Sequence, residues 1–182
     1  MRPFARLIVI VSWLVYGARW IAGARSAAKS ERVSVYGGGG TWTAVTAVLL
    51  LVLAKYGYRL RVAPSLTSAA GAALTVAGLV VSIRARDELG RNWSSDAALV
   101  ERQELVTTGP YSRVRHPIYS GFLAMAAGTA LVAGTVGTFL LVTVQAAFLW
   151  KKAQAEDALL AAEYGPAYEA YRERTGAFGP RL

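Results

Sequence analysis

Apolar runs long enough to cross a bilayer dominate the chain and leave little polar sequence for a soluble surface. Of the 182 residues, 54% are hydrophobic and only 17% are charged, and the mean hydropathy is +0.36. A soluble domain usually carries about a quarter charged residues. Since a spanning helix needs about 20 mostly apolar residues, residues 7–24, 42–58 and 63–83 are predicted spans.

The first of these runs has one alternative interpretation. A basic start, an apolar middle and the small residues at 22–24 are also typical of a cleaved signal peptide. Trp13, Tyr16 and Trp20 favour a retained helix, because aromatic side chains suit the bilayer interface. In the third run, abundant Ala, Gly, Ser and Thr predict close helix packing.

A fourth apolar run, residues 118–150, is too long for one span and short for two. Gly134 or Gly137 lies where a turn would divide it. The run therefore predicts a tight helical hairpin, embedded at an angle or beside a polar cavity. The predicted fold is all-α and polytopic, with about five transmembrane helices. Residues 1–83 form three spans, and residues 84–182 form a catalytic region that holds the hairpin and a C-terminal amphipathic helix.

The basic residues predict which way these spans face. With the N-terminus outside, the outer side receives only Arg2, Arg6, Lys55, Arg59 and Arg61 of the 20 basic residues. The rule that cytoplasmic loops are the positive ones favours this topology. The polar regions 84–117 and 151–182 then share the cytoplasmic side, where they can build one site.

Composition excludes several other kinds of protein. The chain has no cysteine and one histidine, so disulfides, thiolate chemistry and a His-rich metal site are not expected. Its net charge is +9, but the basic residues cluster at the ends of apolar runs. That pattern favours contact with anionic membrane lipids over binding of nucleic acid.

The stretch TTGPYSRVRHPIYSGF, residues 107–122, is the first candidate site. It holds Arg113, Arg115 and His116 between Pro110 and Pro117. Snorkelling cations at a membrane edge are one explanation, but such cations need no backbone made rigid by prolines. A rigid group of arginines can instead bind a carboxylate in a bidentate pair.

The second candidate group follows the hairpin. Lys152 and Glu156 are four residues apart, so they share one face of a helix. They form either an ordinary surface ion pair or, with the preceding stretch, a pocket for a zwitterionic ligand. The tyrosines of 164–171 recur at helical spacing, which by itself favours an amphipathic surface helix.

These two segments resemble a known family. LVTTGPYSRVRHPIYSG at 105–121 and, after the hairpin, EDALLAAEYGPAYEAYRERTG at 156–176 resemble the isoprenylcysteine carboxyl methyltransferases, whose architecture the phospholipid N-methyltransferases share. RARDELGRNWS at 84–94 is similar to bacterial members. The resemblance covers residues 84–182. Two positions depart from the family: Asp157 stands where a second glutamate is usual, and Gln103 where histidine is common.

The resemblance implies an integral membrane enzyme that uses S-adenosylmethionine as methyl donor. The implied cofactor-binding residues are Gln103, Glu104, Leu105, Val106, Tyr111, His116, Pro117, Ile118, Tyr119 and Glu156. Arg115 and His116 are the predicted catalytic residues, with Arg115 neutralising a carboxylate of cofactor or acceptor. Lys152 and Arg113 are the predicted substrate-binding residues, although the family has a different basic residue at the position of Lys152.

The acceptor is expected to be a lipid or a small isoprenoid-like molecule. A carboxylate needs no general base, whereas a thiol, phenol or amine benefits from one. The Ala, Gly, Arg and Val usage is typical of a GC-rich bacterium, which predicts the bacterial plasma membrane as the location. The alternatives are a phospholipid N-methyltransferase, a sterol-type reductase that uses NADPH, and a membrane scaffold without activity.

Overall fold

The computed structural model describes residues 2–26, 67–90 and 104–181, with positions 45, 48 and 49 in isolation. These residues form α1 (Arg2–Ser26), α2 (Thr67–Leu89), α3 (Pro117–Ala133), α4 (Val136–Tyr164) and α5 (Pro166–Arg174). A 3₁₀ turn covers Gly109–Ser112. Within these ranges the only β pairing is one isolated bridge between Val114 and Gly176. The prediction of an all-α fold is confirmed for the described part of the chain.

Two of the described helices have the length and apolar character of a membrane span. They are the stretch Pro3–Ala22 of α1 and the whole of α2, while α3 is apolar but shorter. The predicted spans at 7–24 and 63–83 fall on α1 and α2. The predicted span at 42–58 lies outside the described residues, apart from positions 45, 48 and 49.

Helices α2 and α3 cross with their backbones in contact. The residues of α2 that are buried are all small: Ser68, Gly71, Ala72, Thr75, Gly78, Ser82 and Ala85. A Cβ added to Gly71 would lie 2.6 Å from the carbonyl oxygen of Gly128, and one added to Gly121 would lie 2.6 Å from that of Gly78. The close packing predicted from the small residues of the third run is confirmed, and glycines on both helices permit it.

Helix α1 packs its aromatic residues into the bundle. The indole Nε1 of Trp13 donates to Oγ1 of Thr129 on α3 at 3.0 Å. The rings of Trp13 and Tyr16 lie 5.4 and 5.9 Å from that of Phe122. Both residues are buried, so the prediction that they face the bilayer interface is wrong. A tryptophan is accommodated there because its N–H has an acceptor.

The predicted hairpin is present, and its turn lies at the first of the two candidate glycines. Gly134 adopts left-handed backbone angles (φ 64°, ψ 33°) after α3, and its N–H donates to the carbonyl of Ala130 at 2.7 Å. The hydroxyl of Thr135 then caps α4 by accepting from the N–H of Thr138, as N-cap residues do.

Helix α4 continues well past the end of the apolar run at Trp150. No helix breaker stands between that residue and Gly165, where φ is 53° and Pro166 opens α5. The predicted C-terminal helix therefore consists of two helical segments. The first is the polar half of α4, which continues the second helix of the hairpin, and the second is the short helix α5. Lys152 and Glu156 therefore lie on the same continuous helix whose apolar half belongs to the bundle.

Candidate active site

His116 lies at the junction of all the polar segments. It immediately precedes Pro117, the first residue of α3, and its side chain is buried. Its ring Nε2 is 2.7 Å from Oδ1 of Asp157, and its Nδ1 is 3.3 Å from Oε2 of Glu156. A carboxylate beside each ring nitrogen favours the protonated imidazole, which can donate from both nitrogens.

The charges of this cluster stabilise one another. Burial alone would lower the pKa of His116, but the hydrogen bonds and charges of Asp157 and Glu156 raise it above 6.5. Burial alone would raise the pKa of Asp157, but hydrogen bonds from His116 and Tyr168 and the charge of Arg115 lower it to about 2. Both shifts favour the charged forms of His116 and Asp157.

Arg115 connects three parts of the site. One terminal nitrogen, NH2, lies 3.3 Å from Oδ2 of Asp157. The other, NH1, donates to the carbonyls of Arg172, at 3.2 Å, and of Thr175, at the end of α5. A cation at the C-terminal end of a helix is favourable because the last carbonyls lack partners within the helix. Its Nε is buried and makes no hydrogen bond to the residues that the structure describes.

Tyr119, Lys152 and Glu156 form the part of the site nearest the apolar bundle. The hydroxyl of Tyr119 donates to Oε1 of Glu156. The ammonium of Lys152 lies 4.0 Å from the same oxygen and 5.4 Å from the centre of the Tyr119 ring. Lys152 is buried, so the predicted i,i+4 pair exists but is not an exposed surface pair.

The end of the chain folds back over this cluster. Residues 175–181, which we call the C-terminal strap, run beside the segment that precedes α3. The N–H groups of Arg115 and His116 donate to the carbonyls of Gly176 and Ala177 at 2.9 and 3.0 Å. The hydroxyl of Ser120 donates to the carbonyl of Phe178 at 2.8 Å. The strap thus supplies hydrogen-bond acceptors for the backbone on which the site is built.

A small cleft opens beside Arg115. It is lined by Leu89, Glu104, Leu105, Val106, Tyr111, Arg115, Leu160, Tyr168 and Tyr171. Its walls come from the end of α2, the segment before the 3₁₀ turn, the polar half of α4, and α5. The regions predicted to share one side of the membrane therefore meet in one place.

The predicted site residues divide into groups by position. Those that line the cleft are Glu104, Leu105, Val106, Tyr111 and Arg115. Those in or next to the paired cluster are His116, Pro117, Ile118, Tyr119, Lys152 and Glu156. Arg113 is exposed, and its neighbour Arg115 makes the contacts described above. Gln103 lies outside the described residues.

Sequence reasoning missed the partners that come from α5. Tyr168 and Tyr171 are buried, so the prediction of an amphipathic surface helix is wrong for these residues. The Tyr168 hydroxyl donates to Asp157, and that of Tyr171 to the carbonyl of Tyr111 at 2.7 Å. Burial raises the pKa of Tyr171 to about 12, which keeps it a donor. The sequence shows that Tyr168 and Tyr171 are three residues apart, but it does not indicate that their hydroxyls donate to Asp157 and Tyr111.

Comparison with known proteins assigns the family. The sequence model described as phospholipid methyltransferase matches residues 66–167, more than half of the chain. The chain belongs to the phospholipid methyltransferase family. The segment that matches this family includes α2, α3, α4 and the cluster around His116, so the match covers most of the site described above.

Two curated relatives and one solved structure match parts of the chain. Protein-S-isoprenylcysteine O-methyltransferase of Schizosaccharomyces pombe is 41% identical over 71 residues, which is 38% of this chain and 30% of that protein. The nickel-cobalt-cadmium resistance protein NccN of Alcaligenes xylosoxydans xylosoxydans is 35% identical over 80 residues, 43% of this chain and 37% of that protein. The chain thus spans about a third of the length of the curated relatives it matches.

The solved structure is that of a eukaryotic intramembrane Ras methyltransferase, isoprenylcysteine carboxyl methyltransferase. It superposes with a TM-score of 0.62 and 21% identity, over 79% of this chain and 53% of that one. At this identity the similarity shows the fold, which is that of an integral membrane protein. The resemblance recognised in the sequence is confirmed by the family match and by these relatives.

Proposed function

We propose that the chain is a membrane methyltransferase that uses S-adenosylmethionine and methylates a lipophilic acceptor. The observation that carries this proposal is the cleft, where predicted cofactor-binding residues of the segment 104–111 face residues of α4 and α5 next to Arg115. The relatives that are methyltransferases support the reaction class. The protein lies in a bacterial plasma membrane, with its N-terminus outside and its site at the cytoplasmic edge.

The chemistry of the cleft fits the proposed cofactor. Leu105, Val106 and Tyr111 provide apolar and aromatic surface for an adenine, and Glu104 provides a carboxylate for ribose hydroxyls or an ammonium. Arg115 lines the cleft and brings a guanidinium, which suits a carboxylate. When bound, the cofactor supplies an electrophilic methyl group on a sulfonium.

The residues of the chain would contribute mainly orientation, charge and exclusion of water. Well-aligned reacting groups can gain about 7–11 kcal/mol from proximity alone. Lys152 and Arg115 place positive charge on the two sides of Tyr119 and His116, which favours an anionic acceptor. Both ring nitrogens of His116 lie beside carboxylates of the chain itself, so neither faces a methyl acceptor directly. The role of His116 is to hold Glu156 and Asp157 in position.

Cofactor binding and turnover test the proposal together. Purified protein in nanodiscs is titrated with S-adenosylhomocysteine and, separately, with NADPH, and thermal unfolding is followed. We expect stabilisation by S-adenosylhomocysteine alone. A bacterial lipid extract with radiolabelled S-adenosylmethionine should then yield a labelled lipid product. Stabilisation by NADPH alone would favour a reductase, and binding of neither would favour a scaffold; either outcome overturns the proposal.

A further inference from the structure

The ring of Phe178 is partly buried against the apolar core, and its backbone is fixed by hydrogen bonds of the C-terminal strap. Its own carbonyl accepts from Ser120, and the preceding carbonyl, that of Ala177, accepts from the N–H of His116. A Cβ on Gly176 would collide with the carbonyl of Gly179, so the turn that carries Phe178 requires glycine there. Both the packing of the ring and the strap that carries it therefore fix the position of Phe178.

The ring of Phe178 stands between the site and the apolar surface of α4. Its centre lies 6.2 Å from that of His116 and 6.4 Å from that of Tyr119, edge-on to both. On the other side it lies 5.7 Å from the ring of Trp150. Trp150 is 49% exposed and is the last residue of the apolar half of α4.

We infer that Phe178 and Trp150 form the surface against which the hydrocarbon chain of the acceptor lies, and that Phe178 determines which chains are accepted. This inference rests on the proposed function. An acceptor from the bilayer would meet Trp150 first and would pass Phe178 before its polar end reached Tyr119 and Lys152. Aromatic faces suit an isoprenoid chain, whose flat double-bonded units make broad contact with a ring.

Photolabelling tests the location without needing turnover. The probe is an S-farnesyl thioacetic acid with a diazirine at the far end of the chain, added to the full-length protein in nanodiscs. We expect labelled peptides that contain Trp150 or residues 177–179, and loss of that label when unlabelled S-farnesyl thioacetic acid is added in excess. Label that is confined to α1 or to Leu140, or that does not respond to the competitor, overturns the inference.

Variants test the effect on chain selection. In competition photolabelling, the preference for the farnesyl compound over its dimethylallyl analogue should fall about fivefold or more in Phe178→Ala. It should fall less in Phe178→Leu, and it should not change in Leu140→Ala, since Leu140 is a 62% exposed residue elsewhere on α4. A preference in Phe178→Ala within twofold of wild type overturns the inference. So does an equal loss for both chains accompanied by loss of S-adenosylhomocysteine affinity, because Phe178 would then only maintain the fold.

The two proposals fail separately. If wild type binds S-adenosylhomocysteine but shows no competable label near Phe178, the chain-binding surface is wrong and the methyltransferase proposal stands. If the competable label is found but the protein binds no S-adenosylhomocysteine, the surface binds a lipid and the methyltransferase proposal is wrong.

Discussion

His116 and Asp157, 41 residues apart in the sequence, meet at 2.7 Å between Nε2 and Oδ1. Through this bond the segment that precedes α3 is joined to the polar half of α4. Asp157 also accepts from Arg115 and Tyr168, so one carboxylate links the two predicted halves of the site with α5. Here the shorter acid takes the position where the family resemblance predicts a second glutamate.

Removing the charge of Asp157 should lower the pKa of His116. Asp157→Asn keeps the shape of the side chain but takes away one of the two carboxylates that raise that pKa against the effect of burial. His116 is the only histidine in the chain, so its ring signals in a proton–carbon NMR spectrum need no assignment. A titration with the same midpoint in wild type and variant would show that the charge of Asp157 does not affect the pKa of His116.

The stability of the protein should depend on pH on both sides of neutrality. His116 has a raised pKa when folded, so its contribution is complete below about 6.5 and is lost as the pH rises through the folded value. Asp157 has a pKa lowered from 3.8 to about 2, so its contribution is lost as the pH falls through that range. Unfolding temperatures of wild type should fall as the pH rises above about 6.5, and those of His116→Gln should fall less. If the unfolding temperatures of wild type and His116→Gln changed equally with pH, His116 would not contribute to the pH dependence.

Arg115 should not tolerate replacement by lysine. An ammonium cannot bond Asp157 and the carbonyls of Arg172 and Thr175 while also presenting an N–H to the cleft. We expect Arg115→Lys to weaken S-adenosylhomocysteine binding about tenfold or more by calorimetric titration, a loss of about 1.4 kcal/mol. Arg174→Lys, in an exposed residue of α5, is the control and should bind as wild type does. Equal affinities in the two variants would exclude Arg115 from the cofactor site.

The cluster behind the cleft should also affect the cofactor. His116→Ala or Glu156→Ala leaves a buried partner without its counter-charge, which disturbs the position of Tyr119 and Asp157. We expect weaker S-adenosylhomocysteine binding by both variants while their helical circular dichroism stays unchanged. Ser112→Ala is the control, because that exposed hydroxyl donates only to the nearby carbonyl of Gly109. Unchanged affinity in both cluster variants would remove these residues from the cofactor site.

The crossing of α2 and α3 should not tolerate a methyl group. Gly71→Ala places a Cβ 2.6 Å from the carbonyl of Gly128, and such overpacking costs about 1–3 kcal/mol. Gly17→Ala on α1 meets nothing within 4 Å and should be neutral or stabilising, because alanine is the better helix former. Unfolding in mixed micelles measures the difference. Similar free energies of unfolding for the two variants would mean that α2 and α3 can move apart to accommodate the methyl group without loss of stability.

Much of the framework could be predicted from local sequence. Apolar run length predicted α1 and α2, and Gly134 was one of the two glycines predicted for the turn of the hairpin. These features depend on backbone geometry and on nearby residues, which a sequence displays directly. The family resemblance, and not periodicity, singled out Glu104 to Val106 as predicted cofactor-binding residues.

The contacts that could not be predicted join residues far apart in the chain. The acceptor for Trp13 is Thr129, and the second partner of His116 is Asp157. Aromatic residues at helical spacing are compatible with an interface, a surface or a core, and only the tertiary packing decides among these. The strap carried no apolar run or charge pattern at all, since its contribution to the site is made by backbone carbonyls.

That contribution has a consequence for how the protein is made. The hydrogen bonds of Arg115 and His116 to Gly176 and Ala177 cannot form until the strap has left the ribosome. By then α1, α2 and the hairpin have already left the ribosome and can insert into the membrane. A nascent chain therefore resides in the bilayer with its site unassembled, and the capacity to bind its ligands arises only after synthesis has passed residue 177.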